Sequence, residues 1–184
     1  MYTVSTSSEA VADSNADETH LDIESLFRVH YGRVARIIAR VVRDHARSEE
    51  LAVEVFLKLW RKQKAQTENV EGWLYRVAVR AGLDELRWQR RQGHYERMLA
   101  WVQPRPAAPT PEDLHSVSQK QNKVRSVLSI LKPREAQFLL LRGHDFSYQE
   151  LASILNVNPA SIGTLVSRAE ESFRKEYIKR YGHE

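Results

Sequence analysis

Four prolines, Pro104, Pro106, Pro109 and Pro111, stand within eight residues of the stretch WVQPRPAAPTPEDL. Each fixes φ and removes a backbone donor, so neither a continuous helix nor a central strand can pass through them. A chain of 184 residues interrupted there is expected to build two small cores. We place an N-terminal domain over 23–92, a linker over 93–119 and a C-terminal domain over 120–184. Fully extended, that linker spans about 90 Å at roughly 3.3 Å per residue, enough for two domains to grip separate sites.

Both flanks read as helix. Phe27, Tyr31, Val34, Ile38 and Val41 recur at alternating spacings of four and three, while Arg33, Arg36, Arg40 and Arg43 fall on other faces. A second helix is expected to follow Ser48 as N-cap, with Glu49 and Glu50 in its first turn, and to run to about Lys62. A third starts near Val70 and continues through GWLYRVAVRAGLDELRWQRRQ, burying Leu74, Val77, Ala78 and Ala81. Gly82 is a weak point in it, costing about 1 kcal/mol relative to Ala. Beyond the prolines, helical segments are expected around 119–131, 134–142, 148–155 and 159–177. No alternating strand pattern competes, so the fold class is all-α.

Charge sharpens this division. Residues 1–24 hold six acids and no Lys or Arg, so 28 basic residues face 18 acidic ones over the rest. Residues 1–22 are too polar to offset the entropy of ordering and are expected to be a disordered, solubilising acidic tail. The segment 25–92 has 15 basic and 8 acidic side chains, and 120–184 has 11 and 7. Two basic blocks point to a polyanion as partner.

The most specific local signal is SYQELASILNVNPASIGTLVSRAEESFRKEY. Ser147 and Glu150 make a capping-box pair, and Leu151, Ala152 and Leu155 give a first helix with a small residue where a second must approach. A polar turn, 156–158, precedes Asn158 and Pro159 as N-cap and first helical residue. Ile162, Val166, Ala169 and Phe173 then bury one face of the second helix. This is a helix-turn-helix, and Ser161, Thr164, Ser167 and Arg168 lie on the free face, suited to phosphates and base edges in a major groove.

On an ideal helix at about 100° per residue, Arg76, Arg80, Arg87 and Arg90 form a stripe about 80° wide. Trp73, Tyr75 and Trp88 interleave with it. Aromatic rings beside guanidinium groups are the combination that grips unstacked bases while holding phosphates.

With these motifs in place the chain resembles a bacterial RNA polymerase sigma factor of the small, two-domain extracytoplasmic-function class. SEELAVEVFLKLW is similar to the helix that docks on the polymerase's largest subunit. GWLYRVAVRAGLDELRWQRR is similar to the helix that recognises and opens the minus-ten element, with 63–71 as the base-capturing segment. The block from Leu131 to Phe173 is similar to the domain that reads the minus-thirty-five element. The resemblance implies core-polymerase binding through Glu49, Glu50, Glu54 and Phe56. It implies minus-ten binding through Trp73, Tyr75, Arg76, Arg80, Arg87 and Arg90, and minus-thirty-five binding through Ser161, Thr164, Ser167 and Arg168. Departures from the family pattern are Val53 for Gln, Arg80 for Asn, and Gly163, Leu165 and Glu170 for basic residues. Implied partners are core RNA polymerase, promoter DNA and an anti-sigma factor, with the chain a monomer when free.

Two other readings fit the residues: a helix-turn-helix regulator that never joins the polymerase, and a polymerase-binding adaptor with little DNA contact. Catalysis is not expected. The seven histidines are scattered, and the chain has no HExxH, phosphate-binding glycine loop or Gly-x-Ser-x-Gly elbow. Without cysteine there is no disulfide framework or thiolate site, and no metal or cofactor is expected. No export signal or membrane span is legible, which places the protein in the cytoplasm.

Overall fold

A computed structural model describes residues 22–62, 69–102 and 115–182, the side chains of 96–102 and 115–118 excepted. The expected acidic tail over 1–21, most of the expected base-capturing segment (63–68) and the proline cluster (103–114) lie outside the described residues. Among the described residues there are seven α-helices, one 3-10 turn and no strand, as the all-α reading requires. The helices are α1 Ile23–Val42, α2 His45–Arg61, α3 Val70–Val102, α4 His115–Leu128, α5 Pro133–Arg142, α6 Tyr148–Leu155 and α7 Ile162–Tyr181, with the 3-10 turn Pro159–Ser161 leading into α7.

Asp22 caps α1 by accepting from the Ser25 amide at 3.0 Å. The turn into α2 is two residues long, Arg43 in the left-handed region (φ 60°) and Asp44 extended, so the two helices run back to back. Asp44, not Ser48, is the N-cap of α2: its carboxylate accepts from the Arg47 amide at 3.0 Å. Ser48 lies a turn inside, buried, and its hydroxyl donates to the Asp44 carbonyl at 2.6 Å. The N-cap expectation failed because Asp44 offers a charged acceptor one turn earlier. Glu49 and Glu50 therefore sit past the first turn.

Helix α3 packs across this pair. Its buried face is Leu74, Tyr75, Ala78, Val79, Leu83 and Leu86, rotated from the expected one, with Val77 and Ala81 only half-buried. A Cβ on Gly82 would meet Val41 Cγ2 at 2.8 Å, so the glycine permits a close crossing of α1 and α3. The helix also runs ten residues beyond Gln92, since no proline interrupts it before Pro104. Likewise α4 begins at His115, inside the span expected to be linker.

Helices α4 to α7 form the second group, around Val127, Leu131, Phe138, Leu141, Leu151, Ile162 and Val166. The two groups are not separate: their buried residues make one continuous apolar cluster, with α3 against α4, α5 and α6.

Candidate nucleic-acid interface

The helix-turn-helix is assembled as the local signals require. Ser147 Oγ accepts from the Glu150 amide at 3.2 Å, and Glu150 accepts from the Ser147 amide at 2.7 Å. Hydrogen bonding of the exposed Glu150 carboxyl with Ser147, first its hydroxyl and then its amide, holds it below the usual carboxylate range. Asn156 ends α6 in the left-handed region (φ 51°), and Asn158 accepts from the Ala160 amide at 2.9 Å. Ile162, Val166 and Ala169 of α7 are buried. Ser161, Thr164, Ser167 and Arg168 are all exposed on one side, a free face that a groove can receive.

On α3 the outcome is mixed. Arg80 and Arg90 are exposed and Arg76 and Arg87 half-buried. Arg76 donates through Nη1 to the Ile154 carbonyl, in the last turn of α6. Burial, and secondly the charge of Arg80, lowers its pKa. Arg87 donates to the carbonyls of Ser129 at 3.3 Å and Leu131 at 3.5 Å, just past the end of α4, and also pairs with Asp84 at 3.2 Å. Arg90 lies 3.4 Å from Ser129 Oγ. Trp73 is half-buried, and Tyr75 is buried against Phe146 with ring centroids 5.2 Å apart. The Tyr75 hydroxyl lies 2.9 Å from His30 Nδ1 and 3.1 Å from Glu71. Burial, then the Glu71 charge, pushes its pKa up to about 12. In this arrangement Tyr75 presents no ring to a base. The expectation of an open aromatic failed because the phenol follows the apolar face of α3 into the core.

Helix α2 offers a different surface. Glu49 and Glu50 are exposed and Glu54 half-exposed. Arg47 ties this row together: it pairs with Glu50 at 3.0 Å, approaches Glu54 at 3.8 Å and donates to the nearly buried Glu85 at 3.1 Å. Phe56 is not on this face. It is 4% exposed and packs edge-on to Phe27 at 4.9 Å, because it shares the apolar side with Leu51, Val55 and Leu59. Val53, Leu57 and Trp60 are the apolar residues that do face outward beside the acids, Trp60 being 60% exposed. Sequence reasoning passed over Leu57 and Trp60. Their signal was a second apolar row at i, i+4, i+7 from Val53, off the core stripe.

Among the described residues no cluster of three or more His, Asp or Glu could hold a metal ion, and no helix is long and apolar enough to cross a membrane.

Family models for two parts of one protein class match this chain in order. "Sigma-70 region 2" covers residues 26–92 and "Sigma-70, region 4" covers residues 121–172. The chain is 27% identical to the ECF RNA polymerase sigma factor SigE of Mycolicibacterium smegmatis, over 95% of this chain and 69% of that one. It is 25% identical to the RNA polymerase sigma factor CarQ of Myxococcus xanthus, over 83% and 87% of the two chains. A solved structure of the sigma factor RpoE with the anti-sigma factor NepR, from Bartonella quintana, superposes with a TM-score of 0.47 at 20% identity, covering 86% of this chain and 97% of that one. The first matched region holds α1, α2 and most of α3, and the second holds the helix-turn-helix. The chain thus belongs to the sigma-70 family of RNA polymerase sigma factors, in its extracytoplasmic-function class.

Proposed function

We propose that this sigma factor docks on core RNA polymerase through α2, reads and opens the minus-ten element with α3, and reads the minus-thirty-five element with α7. The observation that carries the docking step is the outward row Val53, Leu57 and Trp60 flanked by Glu49, Glu50 and Glu54. An exposed Trp with apolar neighbours beside a polar, largely acidic rim is the composition of a protein-binding hot spot. A regulator that contacts DNA alone has no use for it.

On α3, Arg76, Arg80, Arg87 and Arg90 would follow the phosphates, while Trp73 and, once uncovered, Tyr75 would stack on unpaired bases. On α7, Ser161, Thr164, Ser167 and Arg168 would meet the groove. The factor lowers the cost of strand opening by binding alone; the phosphoryl chemistry belongs to the polymerase. Its place of action is the cytoplasm, where that enzyme works. An anti-sigma protein covering one or more of these faces completes the set of partners.

Glu54→Arg tests the docking step. The variant should lose capture by immobilised core polymerase while keeping its helical circular dichroism. Undiminished capture by this variant and by Trp60→Ala would overturn the assignment and favour the polymerase-independent regulator.

A further inference from the structure

Positive charge converges at one place where only Arg90 is claimed by the promoter reading. A hollow of about 470 Å³ lies where α3, α4 and α7 meet. Arg90 of α3, Arg125 of α4 and Arg180 of α7 line it, with the side chains of Asn122, Ser126 and Ser129, and no Asp or Glu of the described residues does. Little negative charge meets these guanidinium groups. Arg90 lies 3.4 Å from Ser129 Oγ and makes no ion pair among the described residues. Arg125 meets neutral acceptors alone: through Nε and Nη2 it donates to the Val41 carbonyl at 2.6 Å, the Val42 carbonyl at 3.5 Å and Gln89 Oε1 at 3.0 Å. Its Nη1 has no hydrogen bond among the described residues. Arg180 approaches Glu176 only to 3.8 Å, beyond hydrogen-bonding distance. Burial, and secondly the charge of Arg43, lowers the Arg125 pKa, as befits a cation with no acid beside it. A partly buried cation in that position gains most from an anion brought to it, because its field is screened less there than in open water.

We propose that this hollow binds the pyrophosphate group of a nucleoside diphosphate. Guanidinium forks match phosphoryl oxygens bidentately, and three of them around one hollow suit two linked phosphates better than a carboxylate or a single phosphate. Asn122 gives its Oδ1 to Arg43 at 2.8 Å, so its amide N–H groups remain to donate, as does the Ser126 hydroxyl. Convergence of charge from three helices on one point favours a small ligand over a DNA strand, whose phosphates are spaced along a line. The base lies on the other side of Arg90. A second hollow, of about 490 Å³, shares Arg90 and Ser129 with the first and is lined also by Arg91, His94 and Tyr95, again with no carboxylate of the described residues. Tyr95 is 66% exposed. An open aromatic face beside guanidinium groups is the platform that a nucleobase takes.

Calorimetric titration of the full chain tests this, with ADP, inorganic pyrophosphate, inorganic phosphate and sulfate as probes in magnesium-free buffer of matched ionic strength. ADP should saturate one site, pyrophosphate should bind more weakly, and phosphate and sulfate more weakly still. Arg180→Gln and Gly93→Glu should each weaken ADP binding about tenfold or more, the first by removing a donor and the second by placing a carboxylate at the edge of the hollow. Both variants should fold: Arg180 is exposed, a Cβ on Gly93 meets nothing within 4 Å, and Glu is the better helix former. Neither residue is assigned to promoter DNA, so failure here leaves the minus-ten reading intact. Tyr95→Ala should bring ADP to the affinity of pyrophosphate and leave pyrophosphate unchanged. The proposal is overturned by a parent chain that binds neither ADP nor pyrophosphate, by an equal response to sulfate, or by undiminished ADP binding in both Arg180→Gln and Gly93→Glu. Equal affinities for ADP and pyrophosphate, unaltered by Tyr95→Ala, overturn the nucleotide as ligand.

Discussion

Glu85 is the acid on which the α2 surface is organised. It is 9% exposed and held by Arg47 at 3.1 Å and Gln89 at 3.1 Å. Removing Arg47 leaves a largely buried carboxylate with one neutral partner and frees Glu50 and Glu54. Arg47→Ala should cost about 1–3 kcal/mol in chemical denaturation, and Arg47→Ala with Glu85→Leu should recover much of it, since no carboxylate is then stranded. His144 makes a second case. Among the described residues its Nε2 is buried without a hydrogen-bond partner. Burial first, then the charges of Arg40 and Arg33, push its pKa down to about 4, with Arg36 adding to this and Asp145 opposing it. The folded chain thus favours the neutral ring. The associated stability is fully present above the unfolded pKa of about 6.5 and is lost as pH falls from there toward about 4. The urea midpoint should drop over that window, and His144→Leu should flatten the drop. An unchanged slope in the variant would place the pH dependence elsewhere.

Among the helices, the side-chain caps of the helix-turn-helix were legible, whereas the other helix ends and the buried faces were less so. The Ser147–Glu150 box follows from residues three positions apart and forms as read, while Asn158 caps a 3-10 turn and α7 itself starts at Ile162 rather than at Pro159. Ser48 misled because a capping signal is ambiguous when Asp44 stands four residues before it. The register of α3 misled in another way. Its sequence offers apolar residues nearly all round, so which of Tyr75, Val77, Val79 and Ala81 turn inward is decided by the partners α1 and α2. Gly82 illustrates the consequence. From propensity it is a flaw, yet in place it is where α3 meets Val41 and Ile38. Gly82→Val should therefore destabilise by about 1–3 kcal/mol by overpacking, although in an isolated helix it would be neutral or better. Thermal unfolding of the variant checks the sign.

For the protein as one body, the placement of positive charge decides how DNA is held. If α3 follows phosphates as proposed, Arg80→Ala should weaken strand binding alike across sequences. It should also reduce the slope of log affinity against log salt concentration by about 1 for each phosphate that is no longer neutralised. Arg80 suits this test because it is exposed, with no hydrogen bond or ion pair to another described residue, so its removal breaks none of the described contacts of α3. A slope identical to that of the parent would remove Arg80 from the phosphate path.

The sequence by itself determined that the chain is helical, where the proline break falls, that a helix-turn-helix stands near its end, and which family it resembles. All of these depend on residues a few positions apart, where periodicity, caps and φ restrictions act. It could not say that Phe56 and Tyr75 lie inside, or that Arg76 and Arg125 reach across to the other half. Those bonds join residues 78 and 84 positions apart and end on helix-terminal carbonyls, which every helix possesses and no side-chain pattern marks. Which carbonyl meets which guanidinium is settled only when the two apolar groups merge into one core.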